Sequence, residues 1–281
     1  MSGDHGAQAL TLLLMTIGSA PRRTPNPRNR LQRLAVILAV ILQIGSTFLP
    51  NFGIGEDIGS RSDATRTLVT PAGWAFAIWG PLFAGSALYA IYQALPSQRY
   101  SALLNRIAWP AAGVFVLNGL WALYTQFYAL TVASVLIISI ALVCVLTIYR
   151  ILYHLDRDFT AAERWLVMLP LSALAAWLTA ATIVNISATL RYYDVGADSD
   201  NIMLAAGVVA IGGIIAALAV WRGRGNPVFA GVFLWALVAI YSAGGETSPA
   251  IAFATVSASL LVLGSVLMKL RHAANRKHWL G

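Results

Sequence analysis

Apolar residues run through this chain in stretches of about twenty, separated by short clusters of Arg, Gly, Pro, Asn and Ser. A helix needs about 20 mostly apolar residues to cross about 30 Å of hydrocarbon. Such stretches lie at 34–50, 71–94, 108–128, 131–153, 167–190, 202–221, 227–244 and 248–270. Thr70-Pro71, Asn226-Pro227 and Ser248-Pro249 each put a capping side chain before a proline suited to a first helical position. GRGN at 223–226 and GGE at 244–246 mark breaks. The run 107–153 would be about 70 Å long as one helix, so it must fold back, and the polar cluster from Thr125-Gln126 to Thr131 is the expected turn.

Charge tests this count. With the N-terminus inside, 16 of the 19 basic residues fall in cytoplasmic segments, and only Arg61, Arg66 and Arg191 fall outside. Cytoplasmic loops are enriched in Lys and Arg, and one span more or fewer would scramble the partition. The expectation is an all-α integral membrane protein of eight spans with both ends in the cytoplasm. Composition agrees: of 281 residues, 58% are hydrophobic and 11% charged, and the mean hydropathy is +0.71. A soluble domain carries about 25% charged residues. The net charge of +8 is spread between apolar stretches and not along one face, which points away from nucleic acid. Residues 9–20 resemble a signal-peptide core but follow Asp4 and no basic residue, so they read as an N-terminal extension. With no organelle-targeting signal, the plasma (inner) membrane is the expected location.

The chemistry inside the spans is sparse. No Asp, Glu, Lys, Arg or His occupies the middle of a span, which argues against the common ion-coupled transporters. The single cysteine, Cys144, excludes a disulfide framework, and the four histidines lie in tails and loops, so no metal site is expected in the membrane. What the spans hold is tryptophan and neutral polar groups. Asn118, Trp121, Thr125 and Tyr128 share one helical face, as do Trp177, Ala181 and Asn185, with Thr182 beside them. The second span opens with Pro71-Ala72-Gly73-Trp74 and runs on through Phe76, Trp79 and Pro81. Each has an ordinary reading: Asn as an interhelical hydrogen-bonding group, Pro81 as a kink, Gly85 and Ser86 as close-packing residues, and Trp109, Trp165, Trp221 and Trp279 as interfacial belt residues. Together they suit a flat apolar ligand with a few polar atoms, held by indole stacking and oriented by an amide.

Three motifs resemble the tryptophan-rich sensory protein family (TspO, also called translocator protein or peripheral benzodiazepine receptor). Pro71-Ala72-Gly73-Trp74-Ala75-Phe76 followed by Trp79 is similar to its second-helix motif Pro-Pro-Gly-Trp-x-Phe. Leu117-Asn118-Gly119-Leu120-Trp121 is similar to its third-helix Leu-Asn-x-x-Trp, and Trp177 to Asn185 follow its fifth-helix pattern. Ala72 replaces the second proline, Trp79 stands one residue closer to Trp74 than in short members, and Pro170 precedes Trp177 by seven residues and not four. The resemblance covers the chain to about residue 193. It implies a basic tail over 1–33, a five-helix bundle over 34–193, three additional helices over 194–270 and a basic tail over 271–281. The extra helices would either cover the groove through which short members form homodimers or extend the cavity.

The resemblance further implies a receptor that binds a planar hydrophobic molecule, such as a porphyrin or a sterol, without a required cofactor. Its ligand-binding residues would be Trp74, Trp79, Asn118, Trp121, Trp177, Ala181, Thr182 and Asn185, with a bound porphyrin as the expected occupant. A permease uncoupled from intramembrane charges is the alternative, suggested by the even span count. An enzyme is disfavoured, because only outer-loop carboxylates such as Glu56, Asp57 and Asp194 are at hand.

Overall fold

The computed structural model describes residues 27–64, 66–195 and 202–281, so the stretch 9–20 and most of the basic N-terminal tail lie outside the described residues. The described chain is helical, without strands. Its elements are α1 (Arg30–Ser46), the short α2 (Ile58–Ala64), α3 (Gly73–Ala94), α4 (Ala102–Phe127), α5 (Val132–Tyr153), α6 (Ala161–Tyr192), α7 (Ile202–Arg222), α8 (Pro227–Gly245), α9 (Pro249–Leu270) and α10 (Ala273–Leu280). Seven of these, α3 to α9, are long and apolar enough to cross a membrane. The first expected span, 34–50, is realised as α1, whose 17 residues cover only about 25 Å at 1.5 Å per residue. Arg30 and Arg33 occupy its first turn, and beyond Ser46 the chain tightens into a 3₁₀ turn over Leu49–Phe52.

The expected breaks fall close to where the sequence puts them, but of the three expected proline-preceding caps only Asn226 forms. Ser248 makes no capping bond, and the Thr70 hydroxyl accepts from the Thr67 N–H ahead of a helix that starts only at Gly73. α4 ends at Phe127, and Thr131 caps α5 by accepting from the Ala133 N–H at 3.3 Å. Asn226 accepts from the Val228 and Phe229 N–H groups ahead of Pro227. Two starts differ. α6 begins at Ala161, not 167, because Thr160 and Glu163 form a reciprocal capping box. α3 begins as a 3₁₀ turn over Gly73–Ile78 and becomes α-helical only at Trp79.

The packing order explains what the additional helices do. α1 packs on α3 and α4, α4 on α5, α5 on α6 and α6 on α3, which closes a five-helix ring. α8 then packs on α6 and on the 3₁₀ turn of α3, while α7 and α9 pair with each other and α9 packs on α8. α6 is therefore enclosed from both sides, and every residue from Pro170 to Ala180 is buried. Ala173, Ala175, Ala176 and Ala180 let its neighbours come close, the usual means of helix association where lipid removes a hydrophobic drive. At Gly85 of α3 an added Cβ would lie 2.7 Å from the Pro170 side chain, so that glycine is what allows the α3–α6 approach. The outer faces are apolar too: Leu136, Ile140 and Val143 form an exposed stripe along α5, as a lipid-facing helix requires.

The helix ends sort by charge. Fourteen of the described basic residues lie at one end, which also holds the contacts Arg28 N–H to Arg99 C=O (2.8 Å), Trp279 Nε1 to Gly223 C=O (3.1 Å) and Lys277 Nζ to Asp158 (2.9 Å). Arg61, Arg66 and Arg191 lie at the other, the Arg-poor end. There Gln126 Nε2 donates to the Ser46 carbonyl (2.8 Å) and Thr189 to the Leu130 carbonyl (3.1 Å).

The α7–α9 pair rests on Gly213, where an added Cβ would meet the Ala258 Cβ at 2.3 Å and its Cα at 2.9 Å. Backbone cannot yield as a flexible side chain can. Gly213→Leu is expected to lower stability by about 1–3 kcal/mol, as overpacking does. A thermal unfolding midpoint in detergent equal to that of the unaltered protein would show that the two helices are not seated on this glycine.

Candidate functional site

Three helices each offer two side chains one turn apart to a single space near the Arg-poor end. They are Trp121 and Thr125 of α4, Trp177 and Ala181 of α6, and Ala236 and Ile240 of α8. Val184 and Asn185 continue the α6 face, Pro71 and Phe76 close one side from the 3₁₀ turn of α3, and Ile58 and Arg61 of α2 cover the top. The cavity is narrow, about 50 Å³, well below the few hundred Å³ of an open small-molecule site, so a bound ring would have to part its walls.

Its walls are apolar except for a few groups, and these lean one way. Trp121 and Trp177 are only 7% and 3% exposed, yet neither indole N–H has a hydrogen-bond partner. Leaving a buried donor unmet costs about 1–3 kcal/mol, and such groups are rare enough to need a reason. Asn185 is held through its Oδ1 by Ser134 Oγ at 3.0 Å, which leaves its NH₂ without an acceptor among the described residues. Thr125 turns its hydroxyl back to the Trp121 carbonyl at 3.0 Å. Arg61 is paired with Glu56 (3.1 Å) and donates to the Gln126 carbonyl (3.2 Å). The polar groups left over in the wall are donors.

A wider vestibule of about 450 Å³ opens beside the cavity, lined by Phe48, Asn51, Asp57, Trp79, Phe83 and Gln126 among others. The two spaces share Ile58 and Phe76, which stand between them. Asp57 keeps its charge there: hydrogen bonds from the Ser60 hydroxyl and from the Gly59 and Ser60 N–H groups hold its carboxyl below the usual carboxylate range. Gln126 is 1% exposed and its Oε1 is unpartnered.

Of the expected site residues, the structure brings Trp121, Trp177, Ala181 and Asn185 together around the cavity. Trp79 lies behind it, stacked on Phe83 (5.3 Å between ring centres) with its ring edge-on to Trp177 (6.0 Å), and it faces the vestibule. Trp74, Asn118 and Thr182 are not in the wall. Trp74 is 44% exposed and packs edge-on against Trp235 at 4.8 Å. Asn118 is buried deeper in α4, and the Thr182 hydroxyl is spent on the Leu178 carbonyl at 2.7 Å. The wall residues that the motifs do not mark are Ile58, Arg61, Thr125 and Leu130, and Ala236 and Ile240 from α8.

Residues 31–268 match the family profile described as TSPO-like protein, which covers the five-helix ring and α7 to α9 together. The chain belongs to the TSPO-like protein family. No curated protein and no solved structure matches it. The family match thus extends past residue 193, where the motif resemblance stops, and takes in α7 to α9.

How α8 is fastened is specific to the site. The Trp235 Nε1 donates to the Ala75 carbonyl at 3.1 Å, and the Ala72 N–H donates to the Ala239 carbonyl at 3.0 Å, so α8 holds the turn that carries Phe76. Trp235→Phe keeps a ring against Trp74 and removes one hydrogen bond. The expected loss is about 0.5–1.5 kcal/mol, read as a lower unfolding midpoint. An unshifted midpoint would mean that the bond does not hold the turn.

Proposed function

We propose that this TSPO-like protein is a membrane receptor that binds a planar hydrophobic ligand of porphyrin or sterol type in the cavity between α4, α6 and α8. The observation that carries this reading is the pair Trp121 and Trp177. Two nearly fully buried indoles wall an apolar cavity, and their N–H groups find no partner in the protein. A flat ring supplies stacking area for the indoles and, through carbonyl or carboxylate oxygens, acceptors for their N–H groups. Ala181 supplies room, and the Asn185 NH₂ a further donor. Trp79 acts from behind, fixing the Trp177 ring by edge contact. Trp74 and Asn118 serve packing in this reading, not recognition. The Arg-rich end faces the cytoplasm, α1 makes an eighth crossing, and the membrane is the plasma (inner) membrane.

Transport has one observation in its favour, the vestibule that meets the cavity across Ile58 and Phe76. Beyond the cavity the bundle is filled by Leu104, Ile107, Phe115, Ile148 and Leu171, each at most 1% exposed. That favours a site with one mouth over a passage.

Protoporphyrin IX titrated into the detergent-purified protein is expected to quench tryptophan fluorescence saturably at micromolar concentration. Ala181→Leu, which fills the cavity, should weaken binding at least tenfold, while Asn118→Ala should leave it unchanged. Absence of saturable quenching, or equal binding by the Ala181→Leu protein, would overturn the receptor reading. Flux of the porphyrin across proteoliposomes would move the assignment to transport.

A further inference from the structure

We propose that the vestibule is a binding site of its own, built for an aromatic amine in its protonated form. It stands apart from the receptor reading, since only Ile58 and Phe76 of its wall belong also to the aromatic cavity. At about 450 Å³ it is the larger of the two spaces, and it falls within the usual range for small-molecule sites.

Its wall is of two kinds. Phe48, Phe76, Trp79 and Phe83 bring four aromatic rings to it. Trp79 and Phe83 stack with 5.3 Å between ring centres, and Trp79 meets Trp177 edge-on at 6.0 Å, so this side is braced from behind. The other side carries oxygens, from Gln126 and from Asp57, the only ionisable residue that lines the vestibule. The chain holds these two side by side. The Glu56 N–H donates to the Gln126 carbonyl at 3.0 Å, and at Gly55 an added Cβ would lie 2.9 Å from the Gln126 Cβ. The segment 55–57 is thereby laid against the end of α4.

Both oxygen-bearing groups call for N–H. The Gln126 Nε2 donates to the Ser46 carbonyl at 2.8 Å, which fixes the amide and leaves its Oε1 without a partner in a residue only 1% exposed. A buried acceptor left unmet needs a reason as much as a donor does. Asp57 accepts from the Gly59 N–H at 2.7 Å and from the Ser60 hydroxyl, bonds that hold the start of α2. An ionised carboxylate has about four lone-pair sites, so these bonds leave it able to accept again. A protonated amine offers N–H donors to both oxygens and its charge to Asp57, while the faces of aromatic rings attract the same cation. The Trp79 indole N–H is also unmet, but one neutral donor does not offset a carboxylate. The two spaces therefore differ in what they select: leftover donors in the cavity favour oxygens, and the carboxylate and amide oxygen of the vestibule favour a cation.

The test sets three probes against the intact protein in a non-ionic detergent, with binding read by calorimetry. Of these, 2-phenylethylammonium carries ring and charge, 2-phenylethanol the ring alone and butylammonium the charge alone. The first is expected to bind saturably and at least tenfold more tightly than either of the others. Asp57→Asn removes the charge and keeps a side chain that caps a helix as well as Asp does, so the unfolding midpoint should stay in place. It should weaken 2-phenylethylammonium at least fivefold and leave 2-phenylethanol unchanged. Phe83→Leu breaks the stacked pair and should weaken both ring-bearing probes. Equal binding of the amine and the alcohol, equal binding of the two amines, or full affinity in the Asp57→Asn protein would each overturn the site, as would the absence of saturable binding.

Discussion

Backbone that leaves helical form inside a membrane must find its hydrogen bonds within the protein, because lipid offers none. The segment that leads into α3 is backbone of this kind, and α8 meets its needs. The Ala239 carbonyl accepts from the Ala72 N–H, and the Trp235 indole donates to the Ala75 carbonyl. Close by, Gly244 passes so near that a Cβ there would lie 2.6 Å from the Leu68 carbonyl oxygen. Pro71 and Phe76, which wall the cavity, stand on this segment. The aromatic cavity is therefore as much a product of α8 as of the five-helix ring. Its wall is fixed by bonds between residues some 160 positions apart in the chain.

That dependence also sets what could be read from sequence. Helix positions were legible because apolar length and turn chemistry suffice in a bilayer protein, as at Thr131 and Asn226. The start of α6 was not, because Thr160 to Glu163 is a polar capping box that an apolar-length criterion passes over. Trp177, Ala181 and Asn185 meet at the cavity because the α-helical spacing assumed for them holds in α6. Trp74 parts from them because the turn over Gly73–Ile78 is 3₁₀, at three residues per turn. It goes to Trp235 while Phe76 goes to Trp177, with ring centres 6.3 Å apart. Asn118 lies one turn deeper than Trp121, past the floor of the cavity, where Gly119 lets α1 approach. Ala236 and Ile240 had no signal at all, since α8 is apolar throughout and nothing in its sequence separates wall from core.

The membrane also explains why a cavity persists within so close a packing. Between helices in lipid there is little hydrophobic drive, so association relies on contact and on buried hydrogen bonds. Gly85 against Pro170, Gly119 against Gln43 and Gly213 against Ala258 supply the contact. Asn226 to Ser172 (2.9 Å) and Tyr149 to the Ala219 carbonyl (3.2 Å) supply bonds that tie the ring to α7 and α8. These seams lie toward the Arg-rich half and around the cavity, not through it. The aromatic rings at its edge meet edge-on or in pairs, a geometry that holds their positions without filling the space between them.

The kind of polar group left in the wall follows from how side chains behave in a helix. A Ser or Thr can return its hydroxyl to the carbonyl one turn back. Thr125, Thr179, Thr182 and Thr255 all do so, at 2.7 to 3.0 Å. Such residues are quiet: they are polar in the sequence and satisfied in the fold. An indole N–H sits at the end of a long rigid side chain and cannot reach its own backbone, so Trp79, Trp121 and Trp177 remain unmet wherever no neighbour is positioned for them. The Gln43 amide, wholly buried with both ends unpartnered at the depth of Gly119, extends the same condition deeper into the bundle. Tryptophan in this interior thus provides apolar area and an unspent donor at once. That pairing is the physical support for the proposed ligand ring between Trp121 and Trp177.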